Sequence, residues 1–129
     1  MGKTIFEKII DREIPADIVH EDDYSIAFLD INPVQYGHTL VVSKKPYPWI
    51  QEVPDDEISH IFIIAKRLII KIKNSLNCDY VRLSVVGKDV PHFHIHLIPS
   101  WLGNPPKEDH TPYESIEQKK EILKKIISS

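Results

Sequence analysis

The segment DVPHFHIHLIPS, residues 89–100, places histidines at the alternate positions 92, 94 and 96. The positions between them are apolar and hold Phe93, Ile95 and Leu97. Because successive side chains of a β-strand point to opposite faces of a sheet, this alternation predicts a strand over 92–98. One face of it carries imidazoles and the other packs on a core. Neighbouring rings on such a face lie about 6–7 Å apart, which lets them converge on one small anion or one metal ion.

Elsewhere in the chain, predicted strands are interspersed with helices. Residue patterns predict a short helix that ends before Pro15, strands at 17–21, 24–30, 38–43 and 79–86, a long helix at 54–75, and a last helix at 115–127. Short turns between strands favour an antiparallel arrangement. The predicted fold class is therefore α+β: a five-stranded antiparallel sheet with one long and two shorter helices. The 129 residues, 42% of them hydrophobic, suit a single domain over 1–129.

Charge and cysteine content exclude several classes of protein. The formal net charge is −3, so no basic balance indicates nucleic acid or an anionic membrane as a partner. The single cysteine, Cys78, cannot form a disulfide within the chain or complete a cysteine-based zinc site. No segment has the apolar length of a membrane span or the pattern of a secretory signal. We therefore expect a cytoplasmic location.

Three interpretations of the histidine row follow from chemistry alone. The first is a row of ordinary, partly exposed side chains, which is improbable for three of the seven histidines of the chain. The second is a zinc or copper site, which would need further ligands and groups that orient the rings. The third is nucleophilic catalysis at phosphorus. An imidazole is largely a free base near neutral pH, and neighbouring imidazoles can bind the phosphate oxygens.

Two parts of the sequence resemble one known family. The segment HFHIHLI, residues 92–98, matches the pattern His-φ-His-φ-His-φ-φ, in which φ is apolar. This is the signature of the histidine triad family of nucleotide hydrolases and transferases. The segment TIFEKIIDREIPADIVHEDDYSIAFLDINPVQYGHTLVV, from residue 4 to residue 42, resembles the N-terminal half of the Hint branch of that family. The resemblance covers most of residues 4–98.

The resemblance implies a role for each of four histidines. His94 would be the nucleophile that attacks the α-phosphorus of a nucleotide and forms a nucleotidyl-histidine. His92 would orient His94 through its backbone carbonyl. His96 would lie near the phosphate and the leaving group as a candidate proton donor, and His38 would be the fourth active-site histidine. His20, His60 and His110 match no motif, and we expect the last two on the surface.

The resemblance also implies a nucleoside site. Asp30 would accept hydrogen bonds from the ribose hydroxyls, and an apolar slot would hold the base between Ile5, Phe6, Ile9, Phe28 and Ile31. Such a slot grips a purine by burial and discriminates poorly between adenine and guanine. The expected partner is therefore a purine nucleotide.

The sequence departs from the Hint pattern just before the histidine row. That branch usually reads Gly-Gln-Ser-Val-x-His, whereas this chain has Lys88 and Asp89 in place of the glutamine and the serine. In the family these positions line the phosphate and the leaving group. Lys88 would add a cation, and Asp89 would repel a polyphosphate but could hold a cationic amine. This favours a phosphoramidate or another small leaving group over a dinucleoside polyphosphate.

The sequence thus predicts a hydrolase or transferase for purine nucleotidyl compounds, with no metal and no cofactor. Family members usually form homodimers in which two five-stranded sheets join into one of ten strands, and we expect the same here. Two alternatives remain: a module that binds mononucleotides without turnover, and a metal-binding protein that uses the histidine row.

Overall fold

A computed structural model of the chain describes residues 2–103 and 109–129 and contains, within them, five strands and three α-helices. The strands are β1 (Ile18–Glu21), β2 (Ser25–Leu29), β3 (Thr39–Ser43), β4 (Tyr80–Ser84) and β5 (His94–Ser100). The helices are α1 (Ile5–Ile10), α2 (Asp55–Leu76) and α3 (Ile116–Ser128), with one turn of 3₁₀ helix at Ile50–Glu52. No helix of the described residues has the length and apolar content needed to cross a bilayer.

All neighbouring strands pair antiparallel, in the order β1-β2-β3-β5-β4. Strand β5 therefore lies inside the sheet, where His94 is opposite Val42 and His96 is opposite Leu40 of β3. The predicted five-stranded antiparallel sheet with three helices is confirmed. The register brings the histidine row beside the first residues of β3, directly after His38.

Helix α2 covers the face of the sheet opposite the histidines. Acidic residues fill its first turn, where the helix dipole favours negative charge, and Asn77 ends it in a left-handed conformation with φ 55°. The apolar face of the helix is buried against β5, as the three-and-four spacing predicts. The shared core contains Ile61, Ile64, Ala65, Leu68 and Ile72 of α2, Phe93, Ile95 and Leu97 around β5, and Ile122 and Ile126 of α3.

Helix α1 lies on the histidine side of the sheet and forms a second, smaller core. Phe6 and Ile9 pack there against four residues of β2 and β3, namely Ile26, Phe28, Leu40 and Val42. The helix has only six residues, and Arg12, at φ 65°, turns the chain away before Pro15 is reached. Because α1 is short, it covers only part of this face. The remainder borders a cavity.

Strand β5 begins at His94, two residues later than the sequence predicts. Before it, the backbone N–H of His92 donates to the carbonyl of Val90 at 2.8 Å, and that of Phe93 donates to Tyr47 at 2.7 Å. The first bond closes a tight turn with Pro91 at its centre, and the second belongs to a loop, so neither forms part of the ladder with β3. His92 therefore stands outside the sheet while its side chain keeps the direction of the row.

Candidate active site

A cavity of about 590 Å³ opens between α1, the histidine face of the sheet and the loop that precedes β5. Every residue that the sequence predicts for the site lines this cavity except His92. The lining includes Ile5, Phe6, Ile9, Phe28, Asp30, Ile31, His38, Lys88, Asp89, His94 and His96. Phe6, Ile9 and Phe28 are buried, whereas Ile5 and Ile31 are exposed. The predicted apolar slot is thus closed on one side and open on the other.

His92 lies behind the cavity and is fully buried. Its Nε2 is 2.7 Å from the carbonyl oxygen of Ser43, and its Nδ1 is 2.9 Å from the hydroxyl of Thr4. A carbonyl oxygen only accepts, so Nε2 carries the proton and Nδ1 accepts from the hydroxyl. Burial lowers the pKa of His92, although the bond to Ser43 opposes this. His92 is therefore a neutral ring in one tautomer.

His94 is held by the backbone of His92. Its Nδ1 donates to the carbonyl oxygen of His92 at 2.7 Å, so the neutral ring has its lone pair on Nε2. The ring packs edge-on against Phe6, with ring centres 4.8 Å apart, and is 94% buried while still lining the cavity. Within the described residues nothing hydrogen-bonds to Nε2. The site thus holds a basic nitrogen in a fixed orientation.

His38 and His96 form a second pair with the opposite polarity. The backbone N–H of Val34 donates to Nδ1 of His38 at 3.0 Å, so the proton of the neutral ring must lie on Nε2. That Nε2–H donates to Nδ1 of His96 at 3.0 Å. Nδ1 of His96 therefore accepts, and its proton lies on Nε2. The pair leaves an N–H donor on a ring that lines the cavity.

Burial keeps both rings of this pair neutral. It lowers the pKa of His38 to about 3, with contributions from His96 and Arg82, and the pKa of His96 to about 4. Asp89 opposes the shift at His96. The Asp30 carboxylate lies 3.6 Å from Nε2 of His38, but since His38 is neutral near pH 7 this contact is not an ion pair.

Asp30 is itself perturbed. Burial raises the pKa of its carboxyl, while the backbone N–H of Asn32, 2.9 Å from Oδ1, opposes the shift. A half-buried carboxylate that keeps unused acceptor positions is suited to bind hydroxyl donors. The arrangement at Asp30 therefore fits a diol better than it fits an anion.

Three of these residues have spacings that suit a metal ion, but the hydrogen-bond pattern does not. Ligand atoms of Asp30, His38 and His96 all lie within 4.8 Å of one another. A neutral histidine that binds a metal through one nitrogen normally donates its other N–H to an acceptor. The other nitrogen of His38 faces the N–H of Val34 instead. His38 would have to break this bond to become a ligand, so the donor set does not fit a metal ion.

The structure also brings residues to the cavity that sequence reasoning missed. Arg82 and Ser84 project from β4, where Ser84 is opposite His96 and Arg82 is opposite Ile98. Period-two alternation marks the two as sharing a face of one strand. Only the pairing of β4 with β5 brings that face to the histidines, and one sequence carries no sign of this register.

The three remaining histidines divide between the cavity and a separate cluster. His110 is exposed as expected, yet it lines the cavity and its Nδ1 donates to the carbonyl of Asn32 at 2.7 Å. His20 and His60 lie elsewhere, with their Nε2 atoms 2.6 Å and 3.0 Å from Oδ2 of Asp22. His60 is thus half-buried in a side-chain cluster and not a freely exposed residue.

Lys88 and Asp89 belong to the loop between β4 and β5, and both line the cavity. The loop turns at Gly87, which has φ 71°, a left-handed conformation that favours glycine. A side chain at this position would also approach the ring of Trp49. The loop therefore presents one cation and one anion to the cavity, and the anion, Asp89, acts on His96.

Comparison with known proteins agrees with the fold and the residue pattern. The family model described as the HIT domain matches residues 11–101. A HIT-like protein from Methanocaldococcus jannaschii is 44% identical over 105 residues, which cover 78% of this chain and 81% of the relative. Adenosine 5′-monophosphoramidase from Saccharomyces cerevisiae is 38% identical over 96 residues, which cover 74% of this chain and 61% of the yeast protein.

A solved structure extends the agreement to three dimensions. The histidine triad nucleotide-binding protein from Sulfolobus tokodaii superimposes with a TM-score of 0.85 at 30% identity. The match covers 95% of this chain and 89% of the other. Since the family model spans more than half of the chain and includes the residue row from His92 to His96, the chain belongs to the histidine triad (HIT) family.

Proposed function

We propose that this protein is a nucleotide hydrolase or transferase that acts at the α-phosphate of purine nucleotidyl substrates, as in the Hint branch. The observation that carries the proposal is the orientation of His94. Its Nδ1–H is held by a backbone carbonyl, which leaves Nε2 as a base in a ring that lines the cavity. The resemblance to the yeast phosphoramidase supports this activity.

In the first step Nε2 of His94 attacks the α-phosphorus. A bond forms between nitrogen and phosphorus, the bond from phosphorus to the leaving group breaks, and a leaving amine departs with the electron pair and takes up a proton. The ring of His94, which attacks, becomes positively charged, and the carbonyl of His92 stabilises the charge through the Nδ1–H bond. In the second step water attacks phosphorus, the bond to His94 breaks, a proton goes to solvent, and a mononucleotide is released.

The pair formed by His38 and His96 stabilises the phosphate during both steps. His96 offers its Nε2–H to a phosphate oxygen, while His38 holds the other nitrogen of that ring. The lowered pKa of His96 makes it a neutral hydrogen-bond donor in the free protein. A bound phosphate raises that pKa by its negative charge. His96 then takes up a proton on Nδ1, as the bond from His38 opens, and gives its Nε2–H to the leaving amine when the bond from phosphorus to nitrogen breaks.

The nucleoside is held by the rest of the cavity. Asp30 accepts from the ribose hydroxyls, and the slot that contains Phe6, Ile9 and Phe28 buries the base. Beside the phosphate, Lys88 and Asp89 flank the position of the leaving group. We propose nucleoside phosphoramidates as the preferred substrates, since Asp89 can pair with a departing amine but repels further phosphates.

The test is turnover with trapping of the intermediate. Adenosine 5′-phosphoramidate should give AMP, and a rapid quench should recover adenylylated protein. His94→Ala should abolish both while AMP binding stays within a few-fold of the wild-type value. An unmutated protein that binds AMP but turns over no member of a panel of nucleotidyl substrates would contradict the enzyme proposal. It would favour a mononucleotide-binding module instead.

A further part of the proposal is the assembly of the protein. Strand β4 is the last strand of the sheet, and apolar side chains on and after it are exposed: Tyr80, Leu83 and Val86. An exposed strand edge of this kind pairs readily with a second copy. We propose that residues 1–129 form a single domain, and that two copies of it pair through β4 into a ten-stranded sheet. A monomeric mass by light scattering at micromolar concentration would contradict it.

A further inference from the structure

Thr4 connects the start of α1 to the histidine row, although 88 residues separate it from His92. It is the N-cap of α1, and its hydroxyl oxygen accepts from the backbone N–H of Glu7 at 3.1 Å. The carboxylate of Glu7 accepts in return from the backbone N–H of Thr4 at 3.0 Å, which completes a capping box. The same hydroxyl lies 2.9 Å from Nδ1 of His92.

The direction of each hydrogen bond follows from the backbone groups. Nε2 of His92 must donate, because its partner is the carbonyl of Ser43. Nδ1 of the neutral ring must then accept, so the hydroxyl hydrogen of Thr4 points to it. The oxygen of Thr4 remains an acceptor for Glu7. One hydroxyl therefore uses its hydrogen on the histidine and a lone pair on the helix.

We propose that Thr4 is a positioning residue for His94, which it serves by fixing the ring of His92. Both ring nitrogens of His92 are held, one by Thr4 and one by Ser43, and its backbone carbonyl is the group that orients His94. Without the hydroxyl, a fully buried Nδ1 would lack its partner, and the ring would turn or take up a proton. Either change moves the peptide that holds His94. The inference rests on the proposed function for its effect on turnover.

The same contact links the base slot to the nucleophile. Helix α1 supplies Ile5, Phe6 and Ile9 to the cavity, and its first hydrogen-bonded residue is Thr4. The ring of Phe6 lies 5.7 Å from that of His92 and 4.8 Å from that of His94, both edge-on. A base that seats against α1 therefore acts on a helix that is bonded to the histidine row at its N-terminus.

Three substitutions separate helix capping from the hydrogen bond to His92. Thr4→Val keeps the shape but removes both functions of the hydroxyl. Thr4→Asp keeps an excellent N-cap acceptor for Glu7 but has no hydrogen for Nδ1 of His92 at neutral pH. Thr4→Ser keeps both functions. Ser115→Ala is the matched control, because Ser115 caps α3 through the N–H of Gln118 at 3.0 Å and does not line the cavity.

The readouts are the imidazole nitrogen spectrum and steady-state kinetics with adenosine 5′-phosphoramidate. The nitrogen spectrum should show His92 as a single Nε2–H tautomer in the wild type and in Thr4→Ser. In Thr4→Val the Nδ1 signal should shift to that of an acceptor without a hydrogen bond, and in Thr4→Asp the ring should be protonated up to a higher pH. Both should lower kcat by about tenfold with KM changed less than about twofold, because the nucleophile is displaced and the slot is kept. Thr4→Ser should restore kcat to within about threefold, and Ser115→Ala should leave it unchanged.

An unchanged Nδ1 signal of His92 in both Thr4→Val and Thr4→Asp would overturn the inference, and so would a wild-type kcat in Thr4→Asp. The hydroxyl would then act only as a helix cap. The nitrogen spectrum needs no substrate. A wild-type protein without turnover therefore contradicts the proposed function, while the Nδ1 signal of His92 still decides whether Thr4 holds the ring.

Discussion

The two histidine pairs of the cavity are built from the same residue type but have opposite polarity. In the pair of His92 and His94, backbone carbonyls accept from the rings, so the nitrogen nearest the cavity, Nε2 of His94, carries a lone pair. In the pair of His38 and His96, the N–H of Val34 donates to the first ring, so the outermost nitrogen carries a proton. The polarity of the backbone group at the inner end of each pair therefore decides whether the outer histidine acts as a base or as a donor.

Substitution by glutamine should lower kcat by very different factors at His94 and at His96. A glutamine at position 94 has no basic nitrogen, so His94→Gln should lower kcat by at least about 10³-fold. A glutamine at position 96 still has an N–H donor, so His96→Gln should cost only about 10- to 100-fold. Rates are measured with adenosine 5′-phosphoramidate, with bound AMP as the check on folding. Equal losses of kcat at the two positions would contradict the assignment of a base to His94 and a donor to His96.

Sequence reasoning finds the outline of this arrangement but not its polarity. The alternation around Ile95 and the spacing of α2 suffice to predict a buried strand with one histidine face, and both are confirmed. The tautomers depend on Ser43 and Val34, which touch the histidines only after the chain has folded and which have no distinctive residue type. Every residue has a backbone acceptor and every residue except proline has a backbone donor, so no residue pattern marks the ones that matter.

The same limit explains what sequence reasoning missed. Arg82 lines the cavity because β4 pairs with β5 in one register, and His110 does so because its segment bonds to Asn32. Both are tertiary facts that no local pattern encodes. The later start of β5 has a local cause in the turn at Pro91, whereas the regular alternation from His92 onward predicts a strand that begins at residue 92.

The second pair should also make the stability of the protein depend on pH. His38 and His96 have pKa values of about 3 and about 4 in the folded protein, below the ordinary value of about 6.5. Between pH 6.5 and pH 5 the unfolded chain binds protons at these histidines and the folded chain does not. The free energy of unfolding therefore falls as the pH is lowered across this window, by about 1–2 kcal/mol for each such histidine.

A variant isolates the contribution of one ring to that slope. His38→Gln removes one titrating group, so its unfolding free energy should fall less steeply from pH 6.5 to pH 5 than that of the wild type. Urea denaturation at each pH measures the difference. Asp30, whose raised pKa stabilises the folded chain as the pH falls, contributes with the opposite sign and is present in both proteins. Parallel slopes for the two proteins would mean that His38 is already protonated in the fold.

A smaller change is expected on substitution of Asp30, and it identifies the hydrogen-bond partner of this carboxylate. Its carboxylate lies 3.6 Å from Nε2 of His38 and also lines the cavity, so it could belong to the histidine pair or to the nucleoside site. If it binds the ribose, Asp30→Asn should weaken AMP binding by about tenfold, since an amide accepts from one hydroxyl but not from two. Binding of 2′-deoxy-AMP should change much less, because one of the two hydroxyls is already missing. Isothermal titration of both nucleotides measures the effect.

Asp89→Asn is the matched control for charge, because Asp89 is another carboxylate that lines the same cavity. Loss of any negative charge there favours an anionic ligand, so this variant should bind AMP as well as the wild type or better. A general electrostatic effect would make the two variants alike. A role in the histidine pair would instead lower kcat in Asp30→Asn without removing the preference for the ribonucleotide. If Asp30→Asn weakens the binding of AMP but not of 2′-deoxy-AMP, and so loses the preference for the ribonucleotide, Asp30 is the acceptor for the ribose. The Nε2–H of His38 then donates to His96.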